Sequence, residues 1–428
     1  MRLLLVSFAF PPFNSIGGVR VGKTAKYLIA HGHDVRVLTS VDQPFPKTLP
    51  VEVPEAKVIY TRYLNVRRPV ELAMRGDAQA AAMNTSAGAA KSGGLLRRAL
   101  GFFIRTFIYF PDANVGWLAY ATRDAMEHLR DWQPDLVLAS SPPPTGLALA
   151  RRLAKKFGVP WVADLRDLWV DHQYYNQPRF RKTIEEKFER RVLSSAAGFV
   201  TVSEPLAETL KAKYAKPTAV VVNGFDPSDL PLQASNGHVP GPLRILYTGV
   251  IYEGRQDPSP LFAALKSLGK DAEDVRVIFY GSFLGSVHEL AERYGVKHLI
   301  EVNPAVPYRE SLRLQTEADV LLLLLWTDPA ERGIYTGKLF EYVGSGRPIL
   351  AIGPGVDVAA EFVRSRQAGF VMNDPNQIAE LLRQFLIKNQ QGDAIPAIEP
   401  QARAGVTREE QVRVLENFLA DVLAAGPV

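Results

Sequence analysis

Short apolar runs alternate with amphipathic stretches along the chain. The runs are rich in Val, Ile and Leu and are bounded by Gly, Pro, Asn or Asp, which is typical of buried β-strands. In the amphipathic stretches the apolar residues recur at helical spacing. The predicted strands are 2–8, 34–40, 57–62, 135–141, 160–165, 198–203 and 218–223, and then 244–250, 275–281, 299–306, 318–325, 347–353 and 369–372. The predicted helices include 19–31, 115–132, 145–157, 181–195, 204–214 and 407–423.

This alternation of strands and helices predicts βαβ units, parallel sheets and an α/β fold. It is interrupted by segment 227–243, which is rich in Pro and Gly, has no apolar period and is predicted to be a linker. The linker separates an N-terminal domain, 1–226, from a C-terminal domain, 244–406. We expect two Rossmann-like domains that face each other across a cleft, with ligands beyond the carboxyl ends of the strands. The last segment, 407–428, is predicted to be a helix that packs back on the first domain.

Composition is compatible with this architecture. The chain has 428 residues, of which 47% are apolar and 22% charged, and it suits two domains with full cores. The absence of cysteine excludes disulfides and thiolate chemistry. The apolar N-terminus ends at Pro11, and no apolar run is long enough to span a bilayer, so we expect a cytoplasmic protein without a membrane span.

Charge is unevenly divided along the chain. Residues 1–230 carry 31 Lys and Arg against 21 Asp and Glu, whereas residues 231–428 carry 19 against 24. The positive excess predicts an anionic partner for the first half. Segment 95–110, "LLRRALGFFIRTFIYF", is either a peripheral segment that docks on anionic lipid at the inner face of the cell membrane or an ordinary helix with one buried face. Nucleic acid is not expected, because the aromatic residues are concentrated in one apolar run.

The stretch "GIYTGKLFEYVGSGRPIL", residues 333–350, contains the strongest chemical pattern. Thr336 can cap a helix that begins near Gly337, and the N–H groups of a first helical turn favour an anion. Lys338 adds positive charge. Glu341 lies on the same helix face three residues later, where a carboxylate can accept hydrogen bonds from the two hydroxyl groups of a ribose. The alternative interpretation is a surface Lys–Glu pair on a helix between two strands.

The stretch "GGVRVGKT", residues 17–24, has the spacing of a P-loop. A P-loop follows its strand directly, whereas here "PPFNSI" intervenes, so that Lys23 is expected inside the helix that follows. We expect instead that Gly17 and Gly18 let the backbone approach a diphosphate or a sugar, and that Arg20 reaches into the cleft. A purely structural turn is the alternative.

Five segments resemble, in chain order, the GT-B glycosyltransferases of family 4, and the likeness extends over nearly the whole chain. It implies a first domain that holds the acceptor and a second that holds a nucleotide-sugar donor. The segments are "FPPFNSIGGVRVGKTAKYLIAHGHDVRVLT" (10–39), "PDANVGW" (111–117), "PDLVLASSPPPTGLALARRLAKKFGVPWVADLRDLW" (134–169), "ILYTGVIYEGRQDPSPLFAAL" (245–265) and "TGKLFEYVGSGRPILA" (336–351).

The resemblance also implies roles for single residues. Lys338 and Arg255 would bind the diphosphate leaving group, and Glu341 would bind the ribose. The family has a pair of glutamates eight positions apart, of which Glu341 matches the second. The first falls on Gly333, and Glu331 lies two residues too early. The other implied donor residues are Gly17, Gly18, Gly249, Phe283, Val306, Tyr308, Tyr335, Thr336 and Gly337.

On the acceptor side the chain departs from the usual family pattern. An active-site histidine normally follows the strand that corresponds to 160–165, but here the sequence is "ADLRDLW". Asp164, Arg166 and Asp167 are therefore predicted to orient the acceptor and the sugar. Asn14 and Arg20 are further predicted acceptor residues.

The resemblance implies a retaining hexosyltransferase that needs neither a metal nor a cofactor. It would move a sugar from a nucleotide-sugar, in the first place a UDP-sugar, to a hydroxyl group of a saccharide or lipid-linked acceptor in polysaccharide or lipopolysaccharide assembly. One alternative is a nucleotide-sugar 2-epimerase of the same fold, which needs no second substrate. Others are a non-catalytic nucleotide-binding membrane adaptor and a P-loop NTPase that depends on Lys23.

Overall fold

The computed structural model describes residues 1–64, 101, 103–172, 175, 177–231, 240–282, 284–328, 331 and 333–426. The chain divides into two compact units. The first comprises Met1–Val222 with Val412–Val428, and the second comprises Asn223–Gln411. Each unit is a Rossmann-like parallel sheet flanked by helices, which confirms the predicted α/β class.

The first unit contains a seven-stranded parallel sheet in the order β3-β2-β1-β4-β5-β6-β7. Its strands β1 to β7 are Arg2–Val6, Asp34–Ser40, Val58–Thr61, Leu136–Ser141, Trp161–Leu165, Gly198–Thr201 and Thr218–Val220. Its helices α1 to α5 are Ile16–Ala30, Trp117–His128, Pro144–Phe157, Arg179–Leu193 and Glu204–Tyr214. It also contains a short 3-10 turn, Glu55–Lys57, and a π-helical turn, Ile104–Ile108.

The second unit contains a six-stranded parallel sheet in the order β10-β9-β8-β11-β12-β13. Its strands β8 to β13 are Leu243–Thr248, Val275–Tyr280, Ile300–Asn303, Val320–Leu324, Ile349–Ile352 and Gly369–Met372. The remaining helices α6 to α12 are Ser259–Leu268, Gly285–Tyr294, Tyr308–Glu317, Gly337–Ser345, Val358–Ser365, Pro375–Gln390 and Arg408–Ala424. Short 3-10 turns are Pro227–Asp229, Gly269–Asp274, Lys297–Leu299 and Pro400–Arg403.

Both faces of the first sheet are buried. Leu3 and Leu5 of β1 point into one apolar cluster, whereas Leu4 and Val6 point into another. Helix α12, from Val412 onward, packs into the cluster that contains Leu3 and Leu5. Because neither face meets water, the strands are apolar without alternation, and this is the pattern from which the parallel sheets were predicted.

The boundary between the units lies between Val222 and Asn223, earlier than the predicted end of the first domain at 226. The reason is Phe225, whose N–H donates to the Val406 carbonyl at 3.1 Å and whose carbonyl accepts from the Arg408 N–H at 2.7 Å. These bonds join the end of the predicted first domain to the second unit.

Each sheet has one point where the strand order reverses. In the first unit it lies between β1 and β4, and in the second between β8 and β11. Ligands of such sheets bind beyond the carboxyl ends of the strands at these points. Among the described residues, every helix is too short or too polar to cross a bilayer.

Candidate active site

In the second unit Lys338 lies at the carboxyl end of β8. Its Nζ donates a hydrogen bond to Tyr247 Oη at 2.6 Å and lies 3.9 Å from the centroid of the same ring. Gly249 directly follows the strand, with a φ of 123°. A Cβ at Gly249 would lie 3.1 Å from Lys338 Nζ. Glycine is thus required both for the backbone conformation and for the approach of the lysine, and two predicted donor residues meet at the switch point.

Protonation of this pair is set by burial. Burial lowers the pKa of Lys338 from 10.5 to about 7, and the negative charge of Glu341 opposes the shift. Burial also raises the pKa of Tyr247 well above 10, so the phenol remains protonated. The Tyr247 hydroxyl donates its proton to the Val250 carbonyl at 2.7 Å. Its oxygen lone pairs therefore accept from Lys338, which exchanges between amine and ammonium near neutral pH.

Glu341 lies next to Lys338 on α9. Its Oε2 accepts a hydrogen bond from Gln315 Nε2 at 3.3 Å. Burial raises the pKa of Glu341, and the hydrogen bond from Gln315 and the charges of Arg408 and Lys338 act against the rise. The pKa of Tyr308, at the start of α8, is raised well above 10 by burial first and by the charge of Glu341 second. Tyr308 and Glu341, both predicted donor residues, are therefore close to each other.

Helix α9 begins at Gly337, and Thr336 occupies the position that precedes it, as the sequence predicted. The predicted capping bond is wrong, since the Thr336 side chain makes no hydrogen bond to the first turn. Its Oγ1 is buried, and no hydrogen-bond partner for it lies in the described part of the chain. The backbone carbonyl of Thr336 instead accepts from the Leu339 N–H at 3.2 Å. Thr336 Oγ1 thus lies at the same end of α9 as Lys338.

Arg255 lies on the loop after β8, and this loop is joined to the one after β11. The Arg255 carbonyl accepts from the Thr327 N–H at 2.8 Å and from its Oγ1 at 3.1 Å. Gln256 Nε2 donates to the Leu324 carbonyl at 2.9 Å. Two loops that flank the switch point are thus held together through backbone groups, and Arg255 is positioned beside it.

The other predicted donor residues are more scattered. Tyr335 packs edge-on against Phe340 and Phe362, with centroid distances of 5.5 and 5.9 Å, so its ring belongs to an aromatic cluster. Val306 is half-buried on the segment between β10 and α8. Phe283 lies outside the described residues.

Glu331 is a buried carboxyl group on the loop after β11, with 2% of its surface exposed. Burial raises its pKa to about 7. Within the described residues its Oε2 has no hydrogen-bond partner. With this pKa, the Glu331 carboxyl group is mostly neutral below pH 7. It lies two positions before Gly333, which is the position at which the family pattern has a glutamate.

In the first unit Arg20 and Asp164 form a buried ion pair. Arg20 Nε and Nη2 donate to the two carboxylate oxygens at 3.0 and 2.8 Å. Arg20 also donates to the Val221 carbonyl at 2.9 Å, and Asp164 accepts from Ser140 Oγ at 2.9 Å. The expectation that Arg20 reaches out towards a ligand is therefore wrong. Its charge is neutralised inside the domain, because a buried guanidinium requires a partner.

Arg166 fills the space beside Gly17. A Cβ at Gly17 would lie 2.7 Å from Arg166 Nη2, so the missing side chain makes room for the guanidinium. Arg166 donates to the carbonyls of Ser141 and Pro142, both at 3.1 Å. Burial lowers the pKa of Arg166, while Asp167 and Asp164 oppose this. The structure thus groups Gly17, Asp164, Arg166 and Asp167 at the carboxyl end of the first sheet, next to its switch point.

Gly18 and Asn14 lie at the start of α1. The Gly18 N–H donates to Ser15 Oγ at 3.0 Å, and this cap makes the helix begin at Ile16, before the predicted 19. Asn14 Nδ2 donates to Thr48 Oγ1 at 2.9 Å, which places the predicted acceptor residue on the surface loops of the same unit.

The P-loop interpretation is not supported. Lys23 lies in the middle of α1 and is buried. Its Nζ forms an ion pair with Glu52 Oε2 at 2.6 Å. A phosphate-binding lysine projects from the first turn after a glycine-rich loop, so Lys23 is in the wrong place for that chemistry.

Two residues of the site were missed by sequence reasoning. Tyr247 holds Lys338, and Gln315 holds Glu341. Gln315 is fully buried and also donates to Thr248 Oγ1 at 3.0 Å. Their positions in the sequence could have identified them. Tyr247 lies two residues before Gly249 at a strand end, and Gln315 is a polar residue on a buried helix face.

Comparison with known proteins agrees with this fold. Residues 17–225 match the family described as "Glycosyl transferase 4-like domain". No match is found among curated protein sequences. Similar solved structures include sucrose-phosphate synthase from Thermosynechococcus elongatus, with a TM-score of 0.65 and 13% identity over 100% of both chains. Another is Anabaena Alr3699/HepE in complex with UDP-glucose, with a TM-score of 0.59 and 15% identity over 99% of this chain and 100% of that one.

A third similar structure is WaaG, a glycosyltransferase involved in lipopolysaccharide biosynthesis, with a TM-score of 0.54 and 16% identity over 100% of both chains. At these identities the structural likeness establishes the fold, and the sequence match of the N-terminal half establishes the kind of domain. The chain has the GT-B fold, and its residues 17–225 form a glycosyl transferase 4-like domain.

Proposed function

We propose that the protein transfers a sugar from a UDP-sugar to a hydroxyl group of a saccharide or lipid-linked acceptor, with retention of anomeric configuration. The observation that carries the proposal is the meeting of Lys338, Gly249 and Glu341 at the switch point of the second sheet. UDP is proposed over other nucleotides because HepE, which has the same fold, binds UDP-glucose.

The donor diphosphate would lie between Lys338 and the first turn of α9. Negative charge grows on the diphosphate as its bond to the sugar breaks. Lys338 Nζ, the N–H groups of the helix start and the Thr336 hydroxyl, which has no hydrogen-bond partner among the described residues, would stabilise that charge. Arg255, whose backbone carbonyl is held on the loop after β8, would supply a second cation. With these groups present, the proposed reaction needs no metal ion.

The nucleoside would be held by the carboxylate of Glu341 and by α8. Gln315 orients the carboxylate through Oε2, which leaves acceptor positions for the two ribose hydroxyls. Tyr308 and Val306, next to the start of α8, would contact the base. Because Glu341 is partly buried, loss of these hydrogen bonds leaves a desolvated carboxylate, and the site therefore discriminates against ligands that lack a ribose diol.

In the first unit, Asp167 and Arg166 would orient the acceptor and the sugar. Asp164 acts behind them, since both of its oxygens are occupied by Arg20 and Ser140. The acceptor oxygen would attack the anomeric carbon on the face that the diphosphate leaves, and its proton would pass to a diphosphate oxygen. The acceptor is proposed to be a lipid-linked saccharide at the cytoplasmic face of a membrane, in polysaccharide or lipopolysaccharide assembly.

Calorimetric titration with UDP, GDP and ATP tests the donor site. The variants are Lys338→Ala and Glu341→Ala, with Lys297→Ala and Glu310→Ala as controls on exposed residues of the same unit. We expect wild type to bind UDP, and each site variant to bind it about tenfold more weakly or worse, because a hydrogen bond to a charged group contributes about 1.5–3 kcal/mol. The controls should match wild type. Binding of ATP alone, unchanged by both site substitutions, would exclude the proposed donor site.

A further inference from the structure

Five large apolar side chains of the first unit are exposed together on two neighbouring elements. Each is 46% to 56% exposed. Phe103 and Phe107 have ring centroids 5.0 Å apart, and Phe107 stacks on Phe180 of α4 at 6.1 Å. Ile184 lies one helical turn after Phe180 on the same face. We call this surface the aromatic face; its members are Phe103, Phe107, Ile108, Phe180 and Ile184.

The aromatic face is a fixed structure, because a buried arginine joins its two elements. Arg181 of α4 donates from Nη1 to the Thr106 carbonyl at 2.6 Å and from Nη2 to the Tyr109 carbonyl. Its charge is balanced by Glu185, whose Oε1 accepts from Arg181 Nε at 2.9 Å. These bonds hold the π-helical turn Ile104–Ile108 against the start of α4. A contiguous apolar surface of this kind on a folded domain marks an interaction site.

Charge around the aromatic face is of one sign. The exposed residues of α4 include Arg179, Lys187, Arg190 and Arg191. The acidic residues of the helix point elsewhere. Glu185 and Glu189 are buried, and Glu186 is half-buried with its Oε1 3.9 Å from Lys182 Nζ. Helix α4 thus presents aromatic and basic side chains outward and directs two of its three carboxylates, Glu185 and Glu189, into the protein, which is the arrangement of helices that lie in a lipid interface.

A second copy of the chain fits this face poorly. A twofold interface would place the same four cations opposite themselves, and like charges across an interface are unfavourable. The whole first unit carries 32 Lys and Arg against 21 Asp and Glu, so its charge favours an extended anionic surface. A bilayer with anionic headgroups supplies both the negative charge and the apolar layer that the rings need.

We propose that the aromatic face docks the protein on an anionic lipid bilayer, with the rings among the acyl chains and the basic residues of α4 at the lipid phosphates. This rests on the proposed function, in which the acceptor is lipid-linked and is delivered at the same surface. The earlier hypothesis placed the contact in segment 95–110. Residues 95–100 and 102 lie outside the described residues, and the structure adds Phe180 and Ile184 of α4 to the surface.

Sedimentation with vesicles tests the proposal on the full chain. The vesicles are phosphatidylcholine with or without roughly one-third phosphatidylglycerol. One variant combines Phe107→Ser with Phe180→Ser, and a second combines Lys187→Glu with Arg191→Glu. The matched control combines Ile387→Ser with Lys388→Glu, which are exposed neighbours on α11 of the second unit. Thermal unfolding and UDP titration of each variant show whether it is folded.

Wild type and the control should bind the anionic vesicles. The charge-reversal variant should bind at least about 25-fold more weakly, since it removes two cations that each contribute about a factor of five near an anionic surface. The ring variant should bind about tenfold more weakly or worse, since it removes two apolar side chains from the acyl layer. UDP affinity should be unchanged in all of them. The proposal is overturned if wild type ignores anionic vesicles, if the variants bind as wild type does, or if wild type is a dimer that Phe107→Ser dissociates. Vesicle binding in a protein that does not bind UDP would refute the proposed function and leave the docking surface standing.

Discussion

Binding of UDP should draw a proton onto Lys338. In the unliganded protein burial holds the pKa of Lys338 at about 7. A diphosphate bound beside Nζ favours the ammonium form and raises that pKa. Binding and protonation are therefore coupled: the site takes up a proton when the ligand enters, and affinity falls as the pH rises above the pKa of the free site.

The size of the effect follows from the pKa of about 7. About half of the Lys338 side chains are ammonium at pH 7 and about one-tenth at pH 8. UDP binding should therefore take up about 0.5 proton at pH 7 and about 0.9 at pH 8, and affinity should weaken about fivefold between these two values. Tyr247, whose pKa is far higher, does not titrate in this range.

The assay is calorimetric titration in buffers that differ in ionisation enthalpy. The slope of the apparent binding heat against that ionisation enthalpy gives the number of protons taken up. A terminal phosphate titrates near pH 6, so above pH 7 the ligand contributes little. Lys338→Arg keeps the charge and cannot lose its proton, so it should show no uptake at pH 8. Glu331→Gln removes the other group whose pKa burial moves to about 7 and should behave as wild type.

Two results would refute this reasoning. The first is proton uptake near zero at pH 8 in wild type, which would mean that Lys338 is already charged before UDP arrives. The second is uptake that persists in Lys338→Arg and disappears in Glu331→Gln, which would assign the titration to the buried carboxyl group instead.

Three further predictions concern single contacts. Gly249→Ala should weaken UDP binding about tenfold because a Cβ there lies 3.1 Å from Lys338 Nζ. Gly254→Ala, also at positive φ but in open space, should cost stability of about 1 kcal/mol and no affinity, as calorimetry and thermal unfolding will show. Arg20→Ala should destabilise the first unit by about 3 kcal/mol in denaturant unfolding because it strands Asp164, whereas Arg2→Ala, in an exposed ion pair, should cost under about 1 kcal/mol. Lys338→Met should raise the melting temperature by several degrees at pH 6, because it removes a charge whose burial is unfavourable. The Lys338 ammonium loses its proton near pH 7 in the folded chain and near pH 10.5 in the unfolded chain. The gain in melting temperature should therefore shrink as the pH rises from 7 to 10.5.

The fold was predictable because its strands are buried on both faces. Such strands read as continuous apolar runs, and their order along the chain gave the two parallel sheets. Strand ends were predicted too long, as in 299–306, of which Ile300–Asn303 forms β10. The apolar residues just beyond this strand, Pro304 and Ala305, are exposed, so hydrophobicity alone does not mark where strand pairing stops.

The candidate site was predictable where its residues are neighbours in sequence. Thr336, Lys338 and Glu341 lie at one helix start, and their spacing alone placed Lys338 and Glu341 on one face. The partners that set their chemistry come from distant parts of the chain: Tyr247 is 91 positions from Lys338. Likewise Arg20 and Asp164 are 144 positions apart, and no local pattern shows that each neutralises the other. Motifs identify strand ends, but the pairing of side chains across those ends depends on tertiary packing.

The two switch points treat buried cations differently, and the difference bears on which one binds an anion. Arg20 is held by both oxygens of a carboxylate, so its charge is balanced within the protein. Lys338 has a neutral phenol as its hydrogen-bond partner, and burial holds its pKa near neutrality. A buried cation without a full counter-ion is unfavourable in the unliganded protein. An entering diphosphate supplies the missing negative charge, so its binding removes that unfavourable state. At Arg20 in the first unit a bound diphosphate would remove no such unfavourable state. We therefore place the donor in the second unit.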